Sequence, residues 1–160
     1  MTQNLRLAAG TTLTPSDSNV ANNWYFPSND LTEGDTYSEA RSHNGDSETG
    51  NWYNFCAASA GTVCDEMSTT NSRYDVCPKG WRMPNASEFN TIIDHAIDFA
   101  PIATGRYGGG RLRYTEYGYW WSSSAFGSGL QYFLHDKDNS LSTSDTPRNL
   151  GMSIRCIRSN

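Results

Sequence analysis

The sequence predicts one small α+β domain with an aromatic core and many loops. Its 160 residues suit a single hydrophobic core. One segment after Pro84 has the apolar spacing of a helix, and later segments rich in aromatic residues are typical of strands. Aromatic residues make up 12% of the chain although only 18% is charged, so the composition is not that of a disordered protein.

The helix is predicted from a capping pattern followed by an apolar stripe. Asn85 stands three residues before Glu88, as in a capping box with Asn in place of Ser or Thr. The stripe then consists of Phe89, Ile92, Ile93, Ala96 and Ile97. We expect Pro101 to end the helix. The opposite face carries Asp94, His95 and Asp98, which we interpret as a solvated polar face and not as a catalytic relay or metal site.

Strands are predicted near both ends of the chain. Residues 4–9 alternate like a short strand, and residues 117–126 and 130–136 form two aromatic-rich segments that we expect to pair. Residues 152–158 also alternate, and this pattern places three residues on one face, namely Met152, Ile154 and Cys156.

The other segments give weaker signals. Short helices are predicted within residues 36–42 and within residues 51–61. Residues 105–113 are rich in glycine but lack the dinucleotide-binding and Walker patterns, so we expect a flexible loop and no phosphate site. Residues 134–151 have no apolar period and are interpreted as a polar loop.

The charge distribution excludes several classes of partner. The formal net charge is −5, with ten acidic against four basic residues in 1–80 and seven against eight in 81–160. Because no basic stripe exists, we expect no nucleic-acid partner. No apolar run approaches the ~20 residues of a membrane span, so direct membrane insertion is not expected. No leader peptide begins at Met1, which predicts either a cytosolic protein or a domain cut from a longer secreted chain.

The cysteines favour a domain cut from a longer secreted chain. There are four of them, namely Cys56, Cys64, Cys77 and Cys156. They form no CxxC pair and no His lies at zinc-ligand spacing, so no metal site is predicted. Four buried thiols are one reading, but two disulfides fit better with a loop-rich chain that is poor in aliphatic residues. If Cys77 pairs with Cys156, the bridge closes a loop worth roughly 4–5 kcal/mol by chain entropy. Cys56–Cys64 would then be a local bridge, and the protein would be extracellular or at the cell surface.

Several motifs together resemble one known family. They are the segments "CPKGWRMPNASEF" (77–89), "GYWWSSSAF" (118–126), "RNLGMSIRCIR" (148–158), "MTQNLRL" (1–7) and "YNFCAASAG" (53–61). In this combination they resemble the fibrobacter major paralogous domain family, and they are spread over nearly the whole chain.

The resemblance implies a C-type lectin-like fold, with residues 1–160 as a single domain. In this α+β fold two helices flank a small mixed or antiparallel sheet, the N- and C-terminal strands pair, and long loops cover one end. It also implies a disulfide between Cys77 and Cys156. The Glu-Pro-Asn and Trp-Asn-Asp motifs of calcium-dependent sugar-binding lectins do not occur in the chain.

Lectin-fold domains that end in this way are often the variable proteins of diversity-generating retroelements, which mutate template adenines. Randomised Asn codons of these elements never yield Lys, Gln, Glu, Met or Trp. Between Ser124 and Leu150 only Gln131 and Lys137 fall outside the permitted set. Residues 124–151 are therefore the candidate variable region. Its candidate ligand-binding residues are Phe126, Ser128, Leu130, Tyr132, His135, Asp136, Asp138, Ser140, Leu141, Thr143, Asp145, Pro147, Asn149 and Leu150.

The function predicted from these features is a non-enzymatic, receptor- or adhesin-like domain that binds a protein ligand. Phe126, Tyr132 and Phe133 are candidate anchors, of which one or two are expected to be structural because alternate strand residues point inward. Polar specificity would come from three residues of the region, namely His135, Asp136 and Asp138.

The sequence also suggests three alternatives to this function. A carbohydrate-binding domain without diversification would use Tyr119, Trp120 and Trp121 to stack on sugar rings. A structural calcium could bind at Asp136, Asp138 and Ser140, but the segment matches an EF-hand loop poorly. The fold implied by the resemblance is shared with the formylglycine-generating oxidases. No catalytic triad, carboxylate pair or metal cluster is visible, however, so no catalytic residue and no cofactor are predicted.

Overall fold

The computed structural model describes residues 3–27, 31, 37–95, 103–126, 130–137 and 140–159. For residues 93–95, 130–137 and 140–141 it describes the backbone alone. This part of the chain contains two helices, α1 (Phe55–Ala58) and α2 (Ala86–His95). Its strands are β1 (Thr12–Leu13), β2 (Trp24–Tyr25), β3 (Ser42–His43), β4 (Trp52–Tyr53), β5 (Trp81–Arg82), β6 (Arg106–Gly108), β7 (Arg111–Arg113), β8 (Gly118–Ala125), β9 (Leu130–Lys137), β10 (Ser140–Pro147) and β11 (Ile157–Arg158).

The strands form several small antiparallel sheets. β10, β9 and β8 make a three-stranded sheet in that order, and β1–β2, β3–β4, β5–β11 and β6–β7 are two-stranded pairs. The segment 151–153 connects three of these sheets, because Gly151, Met152 and Ser153 bridge to β6, β4 and β8 respectively. The architecture is therefore a mixed α+β fold with little helix, as the sequence predicts at this coarse level.

The core beneath these sheets is aromatic, which confirms the expectation from composition. Trp121, Phe55, Phe26 and Tyr53 are completely buried. The Phe55 and Trp121 rings meet edge to face with 5.5 Å between centroids, and Phe26 and Tyr53 do so at 5.8 Å. Each such ring buries roughly 150–250 Å², so a few of them supply much of the hydrophobic stabilisation of a chain with few aliphatic residues.

Both predicted disulfides are present. Cys56 is bonded to Cys64, and Cys77 is bonded to Cys156 across 79 residues of sequence. The long bridge links the chain just before β5 to the segment just before β11. These two strands also pair with each other, so the bridge and the ladder fix the same two segments.

Helix α2 begins where the capping pattern predicts. The Asn85 side chain accepts a hydrogen bond from the Glu88 amide at 2.9 Å, and the Glu88 carboxylate accepts one from the Asn85 amide at 2.8 Å. Of the predicted stripe, Phe89 is buried and Ile92 is half-buried. For Ile93, Asp94 and His95 only the backbone is described, and the remaining calls, Ala96, Ile97, Asp98 and Pro101, lie outside the described residues.

Residues 4–9 do not form the predicted regular strand. Leu5 donates its amide to the Ile154 carbonyl at 2.9 Å and accepts from the Asn51 amide, so the N- and C-terminal segments do meet. At Leu7, however, the partners are side chains, because the amide donates to the Tyr53 hydroxyl and the carbonyl accepts from the Asn51 amide group. These side-chain bonds replace a strand ladder.

The short helices predicted at 36–42 and 51–61 are largely wrong. Ser42 begins β3, and the Asn54 side chain holds the preceding segment by accepting from the Arg41 amide and donating to the Glu39 carbonyl. Asn54 also caps a helix of only four residues, α1. The helix ends at Ala58, three residues before the predicted end near Gly61, whose φ angle is 72°.

The glycine-rich segment 105–113 is a β-hairpin and not a flexible loop. β6 and β7 pair in register, and the turn between them consists of Gly109 and Gly110. Both have positive φ, at 64° and 69°, which two-residue hairpin turns require and glycine adopts without steric cost.

The C-terminal third is more regular than the sequence predicts. The strands predicted at 117–126 and 130–136 are confirmed as β8 and β9, which pair. The polar segment predicted as a loop within 134–151 instead contributes the end of β9 and all of β10. Residues 152–158 form isolated bridges and then β11, so the predicted continuous strand is interrupted.

Candidate functional site

The candidate variable region is built on the ladder between β9 and β10. Each strand has eight residues, and all eight pair, from Ser140 opposite Lys137 to Pro147 opposite Leu130. Residues directly opposite each other in an antiparallel pair lie on the same face of the sheet, and neighbours along a strand alternate between faces. The register therefore divides the predicted residues into two sets.

Of the nine predicted positions on β9 and β10, most fall on one face. We call it the Asp145 face, and it comprises positions 130, 132, 134 and 136 of β9 and 141, 143, 145 and 147 of β10. Seven candidate residues occupy it, namely Leu130, Tyr132, Asp136, Leu141, Thr143, Asp145 and Pro147. The Ser144 face is the opposite one and comprises positions 131, 133, 135, 137, 140, 142, 144 and 146. Two candidates, His135 and Ser140, fall on it.

Exposure along β10 differs between the two faces. On the Asp145 face, Asp145 and Pro147 are exposed and Thr143 is half-buried. On the Ser144 face, Thr146 is buried and Ser144 is half-buried. The Asp145 face therefore presents more of its described side chains to solvent.

The remaining predicted residues lie at the ends of this ladder. Phe126 follows β8 and is 42% exposed, which suits an anchor, whereas the other two anchor candidates, Tyr132 and Phe133, occupy opposite faces by register. Asn149 and Leu150 are half-buried. Leu150 lies against the β6–β7 hairpin, where a Cβ added at Gly108 would come within 2.7 Å of its Cδ2 atom. Two further candidates, Ser128 and Asp138, lie outside the described residues.

Arg148 is a buried residue within the candidate region that the sequence analysis missed. It is only 2% exposed, and its guanidinium donates to the carbonyl oxygens of Asp65 at 2.8 Å and Ser68 at 2.6 Å. Its own carbonyl accepts from the Phe55 amide. Burial lowers the pKa of Arg148. The residue thus clamps the long 62–76 loop to the end of β10, and no local sequence signal predicts partners about 80 residues away.

A second buried arginine supports β8 from the other side. The guanidinium of Arg155 lies 5.3 Å from the ring centroid of Trp120, and burial lowers its pKa to about 10. The Trp120 indole donates to the Asn4 side chain at 2.9 Å. By register Trp120 lies opposite Leu134, so these contacts cover the Asp145 side of the sheet at β8.

The aromatic residues considered for sugar stacking belong to the interior. Trp120 and Trp121 are completely buried, and Tyr119 is 9% exposed. Stacking on a sugar requires an exposed ring face, so these three residues do not provide it in this structure.

Asp75 is the most perturbed carboxylate that the structure describes. It is 5% exposed and accepts backbone hydrogen bonds from Cys77 at 2.8 Å and Met83 at 3.0 Å. Burial raises its pKa to about 6, and the hydrogen bonds oppose that shift only in part. It lies at a cleft of about 260 Å³ lined also by Lys79 and Arg82. The bonds to Cys77 before β5 and to Met83 after it give Asp75 a structural role.

Neither a metal cluster nor a membrane span is found in the described part of the chain. No group of three or more His, Cys, Asp and Glu side chains there could hold an ion. No helix among the same residues is long and apolar enough to cross a bilayer. Of the calcium site considered at Asp136, Asp138 and Ser140, Asp138 lies outside the described residues. For Asp136 and Ser140 only the backbone is described.

Comparisons with protein-family models, curated proteins and solved structures each found no match. The resemblance drawn from the sequence motifs therefore stays a prediction. The mixed α+β architecture and the two disulfides rest on the structure alone. The disulfides are consistent with a secreted or extracellular protein.

Proposed function

We propose that this chain is a non-enzymatic ligand-binding domain of the C-type lectin-like kind, and that the Asp145 face is its contact surface for a protein ligand. Its setting is extracellular or at the cell surface. The variable residues of this face are the product of diversification by a retroelement. Binding on such a face would leave the buried sheet, helix α2 and both disulfides unchanged from one variant to the next.

The observation that carries the proposal is the register of β9 and β10. The candidate residues, of which 141, 143, 145 and 147 already alternate in the sequence, fall mainly on one face of a regular ladder. Seven of the nine candidates on the two strands lie on the Asp145 face, and the described members of that face are exposed or half-buried. A surface whose residues share a face but not a folding role can change its chemistry at low cost in stability.

The composition of the surface favours a protein ligand. The Asp145 face and its margin combine aromatic residues at 126 and 132 with small polar residues, as paratopes of antibodies do. The tryptophan rings that would be needed for the carbohydrate alternative are buried, which removes the observation that favoured it.

A matched pair of displayed libraries tests the proposal. One library randomises positions 130, 132, 136, 141, 143, 145 and 147 of the Asp145 face. The control library randomises seven exposed positions elsewhere, namely 21, 22, 23, 66, 87, 90 and 91. Both are selected against the same panel of purified globular proteins of known structure.

The proposal predicts specific binders from the Asp145 library and folded but non-binding members from the control library. Equal yields of binders from the two libraries, or unfolding of most Asp145-face members, would contradict it. The retroelement is tested separately on DNA. A neighbouring reverse transcriptase with a near-copy of the 3′ end that differs only at adenines supports diversification, and an intact locus without them rules it out.

A further inference from the structure

One face of the β6–β7 hairpin carries three arginines. Arg106 pairs directly with Arg113, and Arg111 pairs with Gly108, so all three arginines lie on one face by register. We call this the arginine face. Tyr107 and Leu112 pair on the opposite face. The hairpin is thus two-sided, with cationic residues on one side only.

The side opposite the arginine face is anchored to the protein. The ring of Tyr107 stacks on His43 with 4.2 Å between centroids, and its backbone exchanges two hydrogen bonds of 2.8 Å with Gly151. The Tyr107 hydroxyl donates to the Gly110 carbonyl at 3.1 Å, which ties down the turn. These contacts hold the arginine face in a fixed orientation.

Two tyrosines orient the Arg106 side chain. Its guanidinium carbon lies 4.7 Å from the ring centroid of Tyr114 and 5.8 Å from that of Tyr119. Tyr114 is 46% exposed and adopts a positive φ of 52°, a conformation that bulky residues rarely take. Strained backbone of this kind is concentrated at functional sites. At Tyr114 the strained backbone places an exposed ring next to the Arg106 guanidinium.

The arginine face lacks a carboxylate partner within the described residues. The two ion pairs found there involve Arg41 with Glu39 and Arg82 with Glu88, both far along the chain from the hairpin. Two like charges directly opposite each other on a strand pair repel. The arrangement is unexpected in a chain whose net charge is −5. Arg111 and Arg113 are exposed, Arg106 is half-buried, and the Arg113 Nε donates to the Gly108 carbonyl at 3.1 Å, so parts of these guanidinium groups stay open to a ligand.

We infer that the arginine face, with Tyr114, is a contact surface for an acidic segment of a protein partner. Arginine and tyrosine are enriched at protein interfaces whereas lysine is depleted, and the hairpin contains no lysine. The planar guanidinium group binds a carboxylate through two parallel hydrogen bonds. Charge complementarity therefore points to closely spaced Asp or Glu side chains. The inference uses residues outside the Asp145 face and does not rest on the function proposed for that face.

The test is the binding of a fluorescein-labelled peptide of alternating Glu and Gly to the intact protein, measured by fluorescence anisotropy. The variant is R106Q/R111Q/R113Q. Its matched control is R6Q/R73Q/R158Q, which removes the same charge from three exposed arginines elsewhere. We expect the hairpin variant to bind at least tenfold more weakly and the control to stay within about threefold of the unchanged protein. Affinity should also fall as salt rises, because ion pairs are screened.

Several results would overturn the inference. They are no measurable binding by the unchanged protein, an equal loss in both triple variants, or tighter binding of a length-matched single-stranded oligonucleotide that the hairpin variant also loses. If the triple variant unfolds, the single variant Arg111→Gln is measured instead, because that side chain is exposed. A loss of peptide affinity of about threefold in this variant supports the inference, and an unchanged affinity refutes it. T143A/P147A, which leaves the charge unchanged, should keep peptide affinity within twofold, and a tenfold loss in this variant would place the acidic-peptide site on the Asp145 face instead.

Discussion

At positions 145 to 148 the chain alternates between residues exposed to solvent and residues that hold the fold. Asp145 and Pro147 are exposed, whereas Thr146 and Arg148 are buried. The division between the proposed contact surface and the frame therefore runs between adjacent residues. A diversified surface at this place can change only alternate side chains without loss of stability.

Replacement of Arg148 by Met should destabilise the protein strongly. The change leaves the carbonyl oxygens of Asp65 and Ser68 without their donors in the interior. We expect the free energy of unfolding to fall by about 3 kcal/mol, measured in urea. The exposed Arg158→Met should stay within about 0.5 kcal/mol, and equal effects for the two changes would refute the clamp.

Asp75 should make stability depend on pH. Burial raises its folded pKa to about 6 from the unfolded value of 3.8, so the folded state holds the proton more tightly. This tighter proton binding raises the free energy of unfolding by on the order of 2–3 kcal/mol below pH 3.8. That stabilisation is lost as pH rises through 6. The measurement is the free energy of unfolding from pH 4 to pH 7.5 for the protein and for Asp75→Asn. The difference between the two should fall with pH, and a constant difference would show that Asp75 does not titrate in this way.

At the level of elements, local signals predicted local structure. The start of α2 was predicted because both halves of its capping box, Asn85 and Glu88, lie within three residues of each other. The cores of β8 and β9 were predicted because they are rich in aromatic residues. The polar strand β10 was missed because its backbone pairs with β9 while its exposed face needs no apolar residues, and this leaves no alternating signal.

The β6–β7 hairpin also shows that local sequence does not reveal backbone pairing, in this case at glycine residues. A run of three glycines can mean flexibility or a tight turn, and the sequence alone did not distinguish the two. The pairing of β6 with β7, and of Tyr107 with Gly151, shows that the glycine run forms a tight turn. The arginine face exists only because this pairing aligns residues that are not adjacent in sequence.

A pair of substitutions at Gly109 tests the turn. Its φ of 64° suits Asn much better than a β-branched residue. Gly109→Val should lower the free energy of unfolding by about 1–2 kcal/mol, whereas Gly109→Asn should lower it by clearly less. Thermal and urea unfolding of the two variants give the comparison, and similar losses for Asn and Val would contradict the turn geometry.

The whole molecule is held by an aromatic core and two disulfides and not by long regular elements. Among the described residues most strands have only two or three residues, so the segment 151–153 and the Cys77–Cys156 bridge carry much of the connectivity. The resemblance predicted this bridge correctly. The burial of Arg148, Arg155 and Asp75 could not be predicted, because burial of charge depends on partners brought together only by the complete fold.

The two bridges should differ in their effect on stability. By chain entropy, loss of Cys77–Cys156 through C77A/C156A costs roughly 4–5 kcal/mol, while C56A/C64A costs about 2–3 kcal/mol because its loop is much shorter. The measured quantity is the free energy of unfolding of each double variant. A larger loss from the local bridge would contradict this view of the frame.

The central claim is that the Asp145 face can change its chemistry without a cost to folding, while the Ser144 face cannot. The most direct measurement is the free energy of unfolding of two triple variants of β10, T143K/D145K/P147K and S142K/S144K/T146K. The claim predicts a loss of about 1 kcal/mol or less for the first, since exposed changes are cheap. It predicts a loss of several kcal/mol or failure to fold for the second, because Thr146 is buried and a lysine there would be a charge without solvent. Similar losses in both variants would show that the two faces do not differ, and the proposed contact surface would be wrong.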